Sequence, residues 1–392
     1  SKKKRTFAHM KYNKTEYQAL GVTAEVTSFA PEGAVGEWHA MLHVRPADDT
    51  FQQQYERLRQ GERLIKEELA GKGAQTVFKR YFLSDATNQQ PLIKESADPC
   101  TTSYIQQSPL DGSKVAVWIY FVSGAEVTTG EDDYNSTLVR SGSYEHLWTM
   151  GMVVPEGSSY AQTRTLLEDY EALLAARSMT IRDNCIRTWF FVRDVDTSYR
   201  GMVVARRENF EQEGLTRDSH YIASTGIGGS PADTRAIIQL GSYAVKGLKP
   251  EQIKYLYAQS HLNRTDEYGV TFERGTKLQY GDSSHLIISG TASIDNRGEV
   301  LHAGNVMQQT CRMWENVEAL LKEGGAGYDD VMQIVVYLRD ISDYGLVKRL
   351  FAERFPHMPT VFPLAPVCRP TWLIEMECMA VTPEGNSTYG NF

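Results

Sequence analysis

Apolar residues recur along this chain with two alternating periods, and the alternation returns three times. Phe51, Tyr55, Leu58, Ile65 and Leu69 fall at three- and four-residue steps, which predicts an amphipathic helix over about 51–69. Gly71-Lys72-Gly73 stops it. Short apolar, aromatic runs at 38–44, 76–83 and 115–122 read as strands around that helix. The order then repeats: strand 146–154, helix 160–174 with Leu166, Leu167, Tyr170, Leu173 and Leu174 inward, strand 186–192, strand 235–245. A third pass gives strand 285–294, a turn at Asn296-Arg297-Gly298, and helix 306–321 on a stripe of Val306, Met313, Trp314, Val317, Leu320 and Leu321. Strand 333–338, a second helix at 345–355 and a last strand at 371–381 complete it.

In each pass the strand after the first helix ends on the same phrase: Tyr81-Phe82-Leu83-Ser84-Asp85, Phe190-Phe191-Val192-Arg193-Asp194, Val336-Tyr337-Leu338-Arg339-Asp340. A repeated unit governs the fold reading. Here it predicts an α+β protein of three tandem modules folded as a single-chain pseudo-trimer, with helices covering one face of each sheet. The expected boundaries are 1–140, 141–247 and 278–392, with 248–277 as a long connection. Such connections are where loops tend to carry function.

The chain has 392 residues, 41% hydrophobic and 23% charged, with net charge −8. A core of useful size is available, and the acidic balance argues against a general nucleic-acid binder. No apolar run approaches the ~20 residues of a membrane-spanning helix. The basic start Ser1-Lys2-Lys3-Lys4-Arg5 has no apolar stretch behind it, so it does not read as a signal peptide. Five cysteines without CxxC spacing fit a reducing compartment, and the expected location is cytoplasmic. Histidines are scattered. His39 and His43 share a strand face and read as exposed, and no metal or organic cofactor is expected.

The chemistry concentrates in the last strand. Glu375 and Glu377 are two apart, so they share a face. They are either two ordinary solvent-facing glutamates or, if buried, a pair in which like charge and desolvation raise a pKa into the range of a general acid. Arg369 just upstream is free to pair with Glu377 or with an anionic ligand. Cys368 reads as a packed small residue. Ser224-Thr225-Gly226-Ile227-Gly228-Gly229 is glycine-rich without the strand-to-helix context of a dinucleotide loop. It reads as a backbone turn or as a loop offering N–H groups to an anion. Thr291 offers a hydroxyl beside small residues, whereas Ser289 has no partnered His in a hydrolase arrangement.

Ser289-Gly290, Glu315-Asn316-Val317, Asp340 and Ile374-Glu375-Met376-Glu377 resemble the Rid family of trimeric imine and enamine deaminases. That family holds its substrate carboxylate with an Arg about fifteen residues before the first of these glutamates, and Val361 stands near that point here. A second resemblance runs from about 144 to the end. Arg187-Thr188-Trp189, Ala223–Gly228, Tyr268-Gly269, Phe272-Glu273-Arg274, Ile288–Ile294 and Leu373-Ile374-Glu375 occur in the order seen in chorismatases, hydrolases of the enolpyruvyl ether of chorismate. The resemblance implies Glu375 as catalytic acid, Arg274 and Tyr268 as carboxylate binders, and a small anionic substrate such as chorismate without a cofactor. Arg369, Thr291, Gly290, Glu377 and Cys368 complete the expected site. A Rid-type deaminase and a non-catalytic ligand-binding protein are the alternatives. Gln239 and Trp118 take the place of Glu375 in the other modules, so a single acid-bearing cleft is expected, and further association of the chain is left open.

Overall fold

The computed structural model describes residues 10–94, 98–130, 132 and 134–392. The basic N-terminal run lies outside them. Three six-stranded sheets follow one another along the chain. The first holds β1 (Lys11–Tyr17), β2 (Val22–Phe29), β3 (Gly36–Val44), β4 (Gln75–Leu83), β5 (Thr101–Gln106) and β6 (Val115–Ser123) in the order β1-β2-β3-β6-β4-β5. The second holds β7 (Glu126–Thr129), β8 (Thr137–Ser141), β9 (Tyr144–Val153), β10 (Cys185–Val192), β11 (Ala223–Gly228) and β12 (Ile238–Lys246). The third holds β13 (Ile253–Leu256), β14 (Gly275–Gln279), β15 (Ser284–Ala292), β16 (Val331–Leu338), β17 (Thr360–Val361) and β18 (Ile374–Thr382). All three have the same strand order and mixed pairing, with one parallel pair at the β4–β5, β10–β11 and β16–β17 edge.

Helices follow from the apolar stripes. α1 (Phe51–Ala70) buries Phe51, Tyr55, Leu58, Ile65 and Leu69, and Thr50 caps it reciprocally with Gln53. Such a cap contributes about 1 kcal/mol. α2 (Ala86–Lys94), α3 (Ser159–Ala175), α4 (Ile181–Asn184), α5 (Val195–Gln212), α6 (Val306–Glu323) and α7 (Tyr344–Arg354) complete the layer. The shared Asp marks the strand-to-helix corner. Asp85 and Asp340 accept from the backbone N–H of Asn88 and Ser342, and Asp194 takes a left-handed φ of 49° that Asp tolerates better than most residues.

Several sequence expectations change. The chain enters the second sheet at Glu126, ahead of the seam expected near 140, because β7 and β8 pair there and bury Leu138 and Val139. Much of 248–277 is not a bare connection. β13 and β14 are the opening hairpin of the third sheet, and the insertion is the loop between them. The glycine-rich segment is neither turn nor anion loop but the edge strand β11. Glycine is required at Gly228, where a Cβ would stand 2.7 Å from the carbonyl oxygen of Pro366. Register also corrects the first-module counterpart of Glu375. Phe82, Phe191 and Tyr337 each stand three before the shared Asp and pair with Ala116, Gln239 and Glu375, so the counterpart is Ala116, not Trp118.

The inner sheet faces meet at a core rich in aromatic rings, where Trp148 stacks on Tyr243 at 3.9 Å and Phe78 meets Trp118 edge-on. This packing is why His39 is buried rather than exposed, accepting from Trp118 Nε1 at 3.1 Å, while His43 is half-buried. Glu37, His146 and His285 occupy matching positions on β3, β9 and β15, opposite Val122, Val245 and Val381. Burial holds His39, His146 and His285 down to about 3 and pushes Glu37 up to about 8, although Tyr120 donates to it at 2.6 Å. Glu37 and His285 lie 3.3 Å apart, and burial drives both toward their neutral forms.

This cluster sets a pH dependence. From about pH 3 to the ordinary value near 6.5, unfolding takes up protons on the three histidines, so stability is lost as pH falls. Glu37 acts oppositely, since the fold keeps its proton from the ordinary 4.5 up to about 8, and stability falls as pH rises through that range. Glu375 of the third sheet, raised in the same way, acts with Glu37, and three histidines outweigh these two carboxyls below pH ~6. The melting temperature is therefore expected to rise from pH 5 to about 6 and then decline. In His146→Gln the acid-side slope should be shallower, and an unchanged slope would refute the assignment.

Candidate active site

The end of each sheet packs against the next module, and one of these seams holds the candidate site. It lies between the second and third modules. Gly228 N–H donates to the Pro366 carbonyl at 2.9 Å and Glu273 N–H to that of Ile222 at 3.0 Å. Ser289 ties the two sheets, accepting from Ser224 N–H at 2.9 Å and donating to the Glu273 carbonyl at 2.6 Å, so it is a structural hydroxyl.

Glu375 and Glu377 project from one face of β18 and are 4% and 2% exposed, yet their surroundings differ completely. Glu377 is saturated. Its Oε2 accepts from Arg187 Nη2 at 2.7 Å and from the Thr225 hydroxyl, and its Oε1 accepts from Trp189 Nε1 at 2.8 Å and meets Arg80 Nη1 at 3.5 Å. Arg187, rather than Arg369, is thus the partner of Glu377. Glu375 has no hydrogen-bond partner among the described residues and opens into a small cavity of about 30 Å³. Burial first, then the neighbouring Glu377, pushes its carboxyl up to about 8, against the pull of Arg187 and Arg274. It is a carboxylic acid at neutral pH.

Three arginines stand among the aromatic and apolar residues of the cavity wall. Arg274 is buried, with its guanidinium on the carbonyl and side-chain oxygens of Asn263 at 3.0–3.2 Å. The Tyr268 ring lies between Arg274 and Arg369, 5.5 and 5.0 Å from their guanidinium carbons. Arg369 is exposed and also stacks on Trp372. Cys368 lines the wall, half-buried, its thiol pushed up to about 12 by burial. Gly290 is the floor, since a Cβ there would fall on the Glu375 carboxyl. Thr291 is brought close in sequence only. Its hydroxyl turns back to the Ser289 carbonyl at 2.9 Å and does not border the cavity.

Sequence reading missed Arg206. This side chain of α5 is 1% exposed and reaches the cavity, with one 3.3 Å contact to Ser224 and with Nε and Nη2 unpartnered. Burial works against its charge. A buried guanidinium with two free N–H groups is a ready anion holder. The signal existed: Val195, Met202, Val203 and Phe210 form the buried stripe of α5, and Arg206 sits on that stripe.

The other seams lack this acid. Between the first and second modules, Gln239 donates to Ser103 at 2.7 Å, filling the space that Glu375 leaves open. Between the third and first, Ala116 stands in its place, and the open cleft at that seam carries His43, opposite Ala116, with Glu25, Arg45 and Lys348. Among the described residues no group of three or more His, Cys, Asp or Glu is placed to hold a metal ion, and no helix is long and apolar enough to cross a membrane.

Three tandem modules of one topology, with an acid at a seam between them, define a protein of the wider Rid and L-PSP superfamily. A family model described as Endoribonuclease L-PSP matches residues 280–382. A RutC family protein of Pyrococcus abyssi is 32% identical over 97 residues, 24% of this chain and 76% of that protein. The chain belongs to the RutC family, and its three-module build is chorismatase-like. A chorismatase of Streptomyces rapamycinicus is 28% identical over 243 residues, 57% of this chain and 71% of the relative. A chorismatase crystal structure shares the fold with a TM-score of 0.62 at 19% identity, covering 78% of this chain and 92% of that one.

The two glutamates make opposite predictions for stability. Glu377→Gln leaves Arg80 and Arg187 without a counter-charge and should cost roughly 3–5 kcal/mol. Glu375→Gln replaces a group already neutral, and its free energy of unfolding at pH 7 should stay within about 1 kcal/mol of the parent. Urea unfolding of both variants checks this, and equal costs would contradict it.

Proposed function

We propose that this protein is a chorismatase-like hydrolase that cleaves the enolpyruvyl ether of chorismate or a closely related small carboxylate and releases pyruvate. The observation that carries the reading is Glu375, a carboxyl held up at about 8 in a cavity whose charged lining is otherwise Arg206, Arg274 and Arg369. An acid that keeps its proton beside several anion binders suits a substrate that is negatively charged and must be protonated on carbon. The likeness to chorismatases supports the same chemistry.

Enol ethers hydrolyse by proton transfer to the terminal methylene carbon. The electron pair of the double bond takes the Glu375 proton, leaving an oxocarbenium ion beside the new carboxylate. Water adds to that ion, and its surplus proton returns to Glu375. The hemiketal then collapses to pyruvate and the ring alcohol. Arg206 and Arg274 hold the substrate carboxylates in this scheme, with Tyr268 and Arg369 closing the mouth and fixing the methylene near Glu375. The deaminase alternative draws less support, because Val361 is buried and pairs with Val335, leaving no cation at the position where that chemistry would bind a carboxylate.

Chorismate is expected to yield pyruvate with the parent protein, and no release would remove chorismate as substrate. Glu375→Gln should lower kcat by about 10²–10⁴-fold. Arg206→Gln should raise KM about tenfold or more. Because the reacting form is protonated, kcat/KM is expected to fall as pH rises through about 8. Undiminished turnover at pH 9.5 would exclude Glu375 as the acid.

A further inference from the structure

The carboxylate cluster behind the cavity draws one of its groups from the first module, which contributes no wall to that cavity. Arg80 leaves β4 fully buried, and its Nη1 meets Glu377 Oε1 at 3.5 Å. Its guanidinium carbon lies 5.2, 4.8 and 4.9 Å from the rings of Trp118, Trp189 and Phe191, and its Nε and Nη2 have no partner. Glu377 is the acid that meets it. The matching positions on β10 and β16, five before the shared Asp, are Trp189 and Val335, so the cation belongs to the first module alone.

From Glu377 the contacts run to the acid. Glu377 holds the Thr225 hydroxyl, Thr225 Oγ1 accepts from Gly290 N–H at 2.9 Å, and Gly290 is the residue whose missing side chain makes room for the Glu375 carboxyl. Arg187 fixes Oε2 of Glu377 and also donates to Thr225 at 2.6 Å. Oε1 has only Trp189 and Arg80.

We propose that Arg80 is a positioning residue for the cleft between the second and third modules, acting through Glu377 on the place and acidity of Glu375. This rests on the reading of Glu375 as the acid. It gives the first module a direct part in the site. Arg80 holds the Oε1 side of Glu377, keeps the Thr225–Gly290 contact in register, and adds a second positive charge behind the glutamate pair. Glu375 is faced by Glu377 on its own strand, Arg187 from β10, Tyr337 from β16 and Arg274 from the segment before β14. Tyr199 and Arg206 of α5 stand across the cavity, with Tyr268, Cys368 and Arg369 at its mouth. Arg80 is not one of the groups facing Glu375; losing it takes a counter-charge from Glu377, whose less neutralised carboxylate then makes Glu375 the weaker acid.

The test reads Glu375 itself. The infrared band of a protonated carboxyl that disappears in Glu375→Gln is titrated in the parent, Arg80→Met and Arg80→Lys. The midpoint is expected to move upward in Arg80→Met by on the order of half a unit and to stay near the parent value in Arg80→Lys. With chorismate, kcat of Arg80→Met should fall about tenfold with KM within twofold. If Arg80→Met does not fold, Arg80→Gln, neutral but still able to donate to Glu377, takes its place with the same upward shift expected. A folded neutral variant with the parent's midpoint overturns the proposal. A shifted band in a protein that releases no pyruvate from chorismate sustains this inference and sinks the proposed function.

Discussion

A carboxylate cannot stay charged at the junction of three packed sheets unless the junction supplies its counter-charges, and Glu377 imposes that condition on this fold. Two guanidiniums, an indole N–H and a hydroxyl converge on it from the other two modules. Desolvating such ions costs several kcal/mol each, and mutual attraction offsets this only with good geometry. The geometry is good on the Oε2 side and looser on the Oε1 side, where Arg80 stands at 3.5 Å with two of its N–H atoms unpartnered. The cluster therefore adds little net stability for its size. What it adds is a fixed arrangement, because any slip of one module against another strands a buried charge.

That arrangement separates two glutamates that sequence makes near-identical. Both sit on one face of β18, two residues apart. One is surrounded by donors and holds its charge. The other is left without a donor, beside its charged neighbour, and keeps its proton. The same strand position carries Gln239 in the second module, where the amide reaches Ser103 and seals the cleft, and in the first Ala116, which has no polar side chain. Ser103 and Thr225 occupy matching places on β5 and β11. In the sealed cleft the hydroxyl is consumed by the Gln239 amide. In the open cleft Thr225 is consumed by Glu377, and Glu375 stays free for a ligand.

Much of this was legible in the chain. The helix stripes and apolar strands end within a few residues of where periodicity places them, since each module buries its helices on one sheet face and leaves little freedom to the pattern. The shared Asp gave the repeat because it marks a corner that each module must turn. What escaped reading was the whole of α5 and the first two strands, β1 and β2, together with pieces that are long-range or short. β13 is four residues, too brief for alternation to register. Four of the six residues of β11 are glycine, serine or threonine, suited to close approach to Pro366 and to hydroxyl contacts rather than to strand propensity. The slip from Ala116 to Trp118 came from matching apolar content without the pairing register, which the Asp anchor would have fixed. Arg206 was hidden by convention: a charged residue on a buried stripe is easily passed over as a break in the pattern.

The asymmetry also explains why the three modules share one chain. In a homotrimer every residue appears three times around the axis. An Arg at the Arg80 position would bring three guanidiniums together, and a Glu at the Glu377 position three carboxylates, with the large tryptophans left no space. Here the β4, β10 and β16 positions hold Arg80, Trp189 and Val335, and the opposing β6, β12 and β18 positions hold Trp118, Gly241 and Glu377. One cation, one anion and two large rings share the centre only because the small residues stand where the large ones need room. Fusion lets each position differ, and it is that difference which allows a charged Glu377 and a protonated Glu375 to coexist on one strand.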